Sequence, residues 1–444
     1  FPGNMALGAT RDPNLACLVG RAIAAEAAAL GLNVNYAPVL DVNSNPENPI
    51  IGVRSFGEDP ALVAQLGVAF ARGTLAAGVL PVGKHFPGHG DTALDSHLAL
   101  PVVHRTLAEA ERLELVPFRA AVESEIPALM TSHVLFDALD PAYPATLSPA
   151  VLTGLLRQTL GFDGLLFTDC LEMAAIAARW PAEEFAVLAV KAGADLLLIS
   201  HSPDRQVAAV EALVRAVESG EIPEKRLHQS LERIMAAKRR WIRPTTGRLP
   251  GDWDAIRREH EALEDRVARA AVTLVRGDGL LPLDRTARVV AVWPRVVPRA
   301  RTSDPDEVCP LGTVLRRLCA DVREVQFPLV PGEGESAAVA AQVQETAGED
   351  GVLVIATVTS RPAEAEAQGR LVRRLLGLGR PAVVASLRNP YDLRHFPECR
   401  NYFACYSYQP AMLRALSEVL FGLEKPRGAA PVTLPAGGGS RASA

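Results

Sequence analysis

Through the first 240 residues, short apolar runs alternate with helix-length stretches, and each run hands over to a polar residue. The run 33–40 ends at Asp41, and 79–83 ends at Lys84. The runs 128–132, 164–168 and 195–200 end at His133, Asp169 and His201. Between them lie helix-start and helix-stop signals. Asp12 and Pro13 open a helix running to about Leu30, with Gly31 beyond it, and Asp59 and Pro60 open a second that stops at Gly78. Further helices are expected near 106–124, 148–160, 203–219 and 223–241. Uninterrupted apolar strands alternating with helices predict a parallel sheet covered on its faces. Five strand tips in succession bear polar side chains. That favours a (β/α)8 TIM-type barrel, with its active site at the C-terminal rim, over a doubly wound sheet that gathers ligands at one switch point.

A break in this pattern spans 243–254, rich in Pro, Gly and Thr. A helix near 255–270 leads into a second alternation, with strands at 272–275, 289–292, 352–356, 382–386 and 402–405 and helices near 335–348, 363–377 and 410–421. The expected organisation is a partial barrel over 1–242, a linker and connecting helix over 243–270, and an α/β sandwich domain over 271–444.

Composition narrows the function. A formal charge of −5 leaves no electrostatic footprint for nucleic acid. No apolar run reaches the ~18–20 residues that span a bilayer. The six cysteines are scattered, with no C-x-x-C, which fits free thiols better than a disulfide framework or a zinc site. No charged segment followed by an apolar one opens the sequence, and the compartment stays open.

The chemistry concentrates in 84–97, where fourteen residues carry three of the nine histidines, two aspartates and one of only five lysines. The stretch runs Lys84, His85, Phe86, Pro87, Gly88, His89, Gly90, Asp91, Thr92, and then Asp95, Ser96, His97. It resembles the signature of glycoside hydrolase family 3, and the Asp-Ser-His element is most similar to the β-N-acetylglucosaminidase branch that trims peptidoglycan fragments. Other parts of the chain resemble the same family. They are Arg54-Ser55-Phe56-Gly57-Glu58-Asp59-Pro60, Phe167-Thr168-Asp169-Cys170-Leu171-Glu172-Met173, and, near the C-terminus, 386–392 and 431–435.

The resemblance implies a retaining exo-glycosidase that removes terminal β-linked N-acetylglucosamine, with muropeptide-type fragments as substrate and no cofactor or metal. Asp169 is the implied nucleophile, although the family usually has a second Asp where this chain has Cys170. Taken alone, Asp169 also suits a helix N-cap. His97 is the implied proton donor, held by Asp95. An Asp two residues away in an extended loop orients an imidazole and stabilises its charged form. Arg54, Lys84 and His85 are the implied ligands of sugar hydroxyls. His133 and His201 suit hydrogen-bonded barrel histidines at least as well as ligands, and Asp91 is expected to stiffen its loop. A metal site made of His85, His89, Asp91 and His97 is disfavoured, because Pro87, Gly88 and Gly90 forbid the helix that a His-x-x-x-His pair needs.

Within the family a segment like 1–10 follows the third barrel strand, so about three N-terminal βα units are expected to be missing. A β-N-acetylglucosaminide phosphorylase using the same residues, or a truncated form that only binds sugar, are the alternatives. The C-terminal domain is expected to supply no catalytic group.

Overall fold

A computed structural model describes residues 1–92, 99–241, 251–296 and 309–434. The chain divides into two compact units. One comprises Asp12–Ile51 and Ser55–Ile256; the other comprises Phe1–Arg11, Gly52–Arg54 and Arg257–Ala444.

The first unit is built on five strands: β1 (Val34–Asn35), β2 (Leu80–Phe86), β3 (Ala128–Thr131), β4 (Leu165–Cys170) and β5 (Leu196–Leu198). They are parallel and lie side by side in sequence order, with no reversal. Sequential neighbours with helical crossovers are the winding of a (β/α) barrel, and the switch point of a doubly wound sheet does not occur. The fold class read from the apolar runs is therefore the one observed. β1 is shorter than its run of apolar residues. Pro38 has no N–H to give to a ladder, and beyond Asn35 only an isolated bridge between Val39 and Lys84 continues the pairing.

The helices Pro13–Ala29 and Pro60–Ala76 start alike. Asp12 accepts amide hydrogens from Asn14 and Leu15, Asp59 accepts one from Ala61, and a proline follows each cap. The two helices pack backbone to backbone. A Cβ on Gly73 would stand 1.9 Å from the Cys17 carbonyl oxygen, so only glycine allows this approach. The helix expected over 106–124 is two helices, Leu107–Arg112 and Leu115–Glu123, because Leu113 leaves helical geometry between them.

Below the strands, Asp195 gathers the unit's base. Its buried carboxylate accepts from Arg157 at 2.8 Å, Arg233 at 3.3 Å, the Ser230 hydroxyl at 2.7 Å and the Leu166 amide at 3.1 Å. A buried carboxylate is tolerable when it is paired and hydrogen-bonded in this way.

The second unit carries a six-stranded sheet of β6 (Thr273–Arg276), β7 (Val289–Pro294), β8 (Val322–Phe327), β9 (Val352–Thr357), β10 (Ala382–Ser386) and β11 (Tyr402–Ala404). Their order is β8-β7-β9-β10-β11-β6, parallel except for β6. Alternate residues feed two cores. Val289, Ala291 and Trp293 face one, together with Met5, Ala6 and Ala9 of the helix Asn4–Thr10. Val290 and Val292 face the other, with the helices Glu333–Ala347 and Pro362–Leu376. The helix Trp253–Ala271 buries Val267, Ala268 and Ala271, and the latter two join the first of these cores.

At the end of β9, Asp392 is buried, accepting the Thr357 hydroxyl at 2.6 Å and that of Thr359 at 2.5 Å. Burial pushes its carboxyl up to about 7, against the pull of the two hydroxyls. The folded form thus holds a proton that the unfolded chain releases near pH 4. The stabilisation that Asp392 contributes is full below that value and is lost as pH rises through about 7. The urea midpoint of the full chain should drop between pH 5 and pH 8.5. In Asp392→Asn that drop should shrink, and an unchanged slope would show that Asp392 does not titrate in this range.

Candidate active site

The site is assembled where β1 to β5 end. At β2, Lys84 and His85 are consecutive, and the register with β3 shifts between Lys84 and Phe86, which frees the pair from strict strand alternation. His85 is buried, with its Nδ1 2.6 Å from Asp41 Oδ2. Asp41 lies just past β1 and is fully buried. Its Oδ1 accepts the amide hydrogens of His85 at 3.2 Å and His89 at 2.8 Å. Burial would raise the Asp41 carboxyl, yet the His85 imidazole and the hydrogen bonds from His85 hold it below its ordinary value.

Asp169 stands near the end of β4, its side chain about a quarter exposed. His85 Nε2 approaches its Oδ2 at 3.9 Å, and the Cys170 amide donates to its Oδ1 at 2.7 Å. Burial pushes this carboxyl up, but His85, His133, the Cys170 amide and Lys84 together pull it down to about 2. Asp169 is therefore an ionised carboxylate throughout the neutral range, surrounded by donors and cations. His133, at the end of β3, lies with Nδ1 2.8 Å from Thr146 Oγ1 and Nε2 2.9 Å from the Cys170 carbonyl. It thereby fixes the backbone beside Asp169.

The loop after β2 is held from several sides. Asn48 donates to the carbonyls of His89 and Gly90 at 2.8 and 2.9 Å. His89 Nδ1 lies 2.9 Å from Thr92 Oγ1. Arg105 pairs with Asp91 at 2.7 Å and with buried Glu114 at 2.8 Å. Burial pushes the Glu114 carboxyl up to about 7 against the attraction of Arg105. Asp91, expected to stiffen its loop by accepting backbone N–H groups, is seen paired with the Arg105 side chain.

Of the residues singled out in the sequence, Lys84, His85 and Asp169 meet in one place. Asp95 and His97 lie outside the described residues. Arg54 ends a short turn, Gly52–Arg54, whose carbonyl accepts from Asn4 at 2.7 Å, and this turn belongs to the other compact unit. His201 has an exposed ring, and it is its amide that is engaged, donating to Glu172 at 2.6 Å. Glu172 also takes the amides of Ser200 and Ser202. Cys170, Glu172 and His201 bring donor atoms within 4.8 Å of one another, but Glu172 already spends most of its lone pairs on these amides. The donors weighed for a metal have protein partners instead: Asp41 for His85, Thr92 for His89 and Arg105 for Asp91. Asp41 and Asn48 are contributors that the motifs did not reveal, and Glu172 stood in a motif without an assigned role. The one signal for Asp41 was its place at the end of an apolar run.

A barrel-wound parallel sheet whose rim sets one ionised carboxylate among cationic side chains, joined to an α/β domain, is the plan of an enzyme that cleaves glycosidic bonds. The chain belongs to glycosyl hydrolase family 3, whose N-terminal domain matches residues 1–237. It is 32% identical to beta-hexosaminidase A of Pseudoalteromonas piscicida, over 98% of this chain and 79% of that one. Among solved structures it is similar to the family 3 β-N-acetylglucosaminidase of Paenibacillus sp. str. FPU-7, with a TM-score of 0.87 and 42% identity over 97% of this chain and 82% of that one. A β-glucoside phosphorylase is also similar, with a TM-score of 0.81 and 26% identity over 97% and 79% of the two chains. Among the described residues, no helix is long and apolar enough to cross a membrane.

Gly90 lies against the strand-exit segment that bears Asp41, and a Cβ there would stand 1.6 Å from the Val42 carbonyl oxygen. Gly90→Ala should therefore push the loop away from Asp41 and cost about 1–3 kcal/mol. Urea unfolding measures this. A substitution without effect on the midpoint would mean that the loop is not held as described.

Proposed function

We propose that this chain is a retaining exo-β-N-acetylglucosaminidase that works through a glycosyl ester on Asp169. The observation that carries the reading is the Asp169 carboxylate, ionised and flanked by His85, His133 and Lys84 at the barrel rim. Its similarity to proteins named as β-hexosaminidases supplies the sugar.

In the first step an Asp169 oxygen attacks the anomeric carbon. The bonding pair of the glycosidic C–O bond goes to the leaving oxygen, which takes a proton from His97. In the second step a water attacks the same carbon and gives its proton to His97 as the ester bond breaks and its electron pair returns to Asp169. Asp95 orients His97 and stabilises its charged form. Lys84 and His85 bind sugar hydroxyls, and Arg54 is assigned the same task on its motif alone. The positive surroundings of Asp169 keep it a nucleophile and favour its departure as an anion. Peptidoglycan-derived fragments are the proposed source of the sugar. The C-terminal unit is proposed to take no part in the chemistry.

A second reading is favoured by the likeness to a β-glucoside phosphorylase. A histidine acid/base repels phosphate less than a carboxylate does, so phosphate could replace water in the second step. Product analysis with and without phosphate separates the two, and sugar 1-phosphate as main product would overturn hydrolysis. A form that only binds sugar would show saturable binding without turnover.

The sharpest test is dependence on the leaving group. A nitrophenolate leaves unaided, whereas a sugar alkoxide needs a proton. His97→Ala should lose about 10²–10⁴-fold on a β-N-acetylglucosaminyl disaccharide and much less in glycosylation by a nitrophenyl glycoside. Azide should restore rate by giving a β-glycosyl azide. Asp169→Ala should be inactive on both substrates. Equal losses on both substrates for His97→Ala, with no azide product, would make His97 a binding residue.

A further inference from the structure

Asp41 is a fully buried carboxylate with no part in the steps above, and its environment gives it one. It is fixed on every side. Its backbone carbonyl accepts the Ser55 hydroxyl at 2.6 Å, Oδ1 accepts the amides of His85 and His89, and Oδ2 faces His85 Nδ1 at 2.6 Å. A carboxylate oxygen and a bare ring nitrogen would repel at 2.6 Å, so Nδ1 carries the hydrogen. The tautomer follows from the partner. His85 Nε2 is then the nitrogen free to gain or lose a proton, and it is the nitrogen 3.9 Å from Asp169 Oδ2.

We infer that Asp41 is a positioning residue that locks His85 with Nδ1 protonated and so presents Nε2 to Asp169. The inference rests on the reading of Asp169 as nucleophile. With Nδ1–H given to Asp41, it is Nε2 that faces Asp169 when the ester breaks and the bonding pair returns to its carboxylate. The other ionisable groups around the pair are His89, whose ring meets that of His85 edge-on at 5.9 Å, together with Lys84 and His133, which act on Asp169. His89 is turned to Thr92 through its own Nδ1, and the hydrogen bond it gives Asp41 is from its amide.

Asp41→Asn is the informative variant. Its Oδ1 can keep the two amides, while its Nδ2 now donates to His85 Nδ1 and forces the opposite, neutral tautomer. The first measurement needs no substrate. Long-range 15N–1H spectra of the full chain, labelled at histidine and assigned by the signal lost in His85→Gln, report which nitrogen is protonated. The expected result is Nδ1–H in the wild type and Nε2–H in Asp41→Asn. A wild-type His85 with bare Nδ1 overturns the proposal even if the variant fails to fold.

The second measurement is a double-mutant cycle on a nitrophenyl β-N-acetylglucosaminide. Asp41→Asn should lower kcat by about 100-fold while changing KM by less than about threefold. Asp41→Asn combined with His85→Gln should be no worse than His85→Gln alone. Independent, multiplying losses would show that Asp41 does not act through His85. If the wild type turns over no N-acetylglucosaminide, the functional reading fails, and the tautomer measurement still decides the role of Asp41.

Discussion

A buried carboxylate with both oxygens hydrogen-bonded is the constraint on which the rim of this barrel depends. Asp41 takes three N–H groups from the segment 85–89, forty-odd residues away in sequence. An ionised group cannot stay in such a place without them, so the exit of β1, the tip of β2 and the following loop must fold together. Once they do, Lys84 and His85 join His133 and Asp169 at neighbouring strand ends. The exits of β1 and β2 are thus linked through a charge that never meets solvent.

Four acids show how local surroundings divide one chemistry into two behaviours. Asp41 and Asp169 meet imidazoles and amide hydrogens, and both are pulled below their ordinary values. In Glu114 and Asp392 burial outweighs a single guanidinium or two neutral hydroxyls, and both rise to about 7. Burial pushes all four upward. The number and charge of the donors decide the direction. The two carboxyls at the rim sit where donors are many, and the two that brace a loop and a sheet end sit where donors are few.

Much of this was legible in the sequence. Apolar runs ending in polar residues gave the parallel strands and located Asp169, Lys84 and His133 at strand ends, because strand length and winding are local consequences of the apolar pattern. What the pattern does not encode is which part of a tip residue is used. His133 and His201 read alike, yet one holds a carbonyl with its ring and the other is held by its amide. The grouping of Phe1–Arg11 and Gly52–Arg54 with the C-terminal unit was also hidden. Met5 and Ala9 look like any helix interior until the cluster they join is known. Asp41 was visible as a tip and invisible as a partner, since its partners are set by folding and not by spacing.

The clasp at Glu172 has a consequence for anyone who would reshape this rim. Its carboxylate holds the amides of Ser200, His201 and Ser202. Three residues earlier in the same segment stands Asp169, and Cys170 between them is gripped by His133. The ends of β3, β4 and β5 are therefore tied together through His133 and Glu172. The clasp at 200–202 uses backbone amides, which any residue but proline supplies, so the side chains there can change while Glu172 cannot. A library that spares Glu172 keeps this tie beside Asp169 while leaving the surrounding surface open to change.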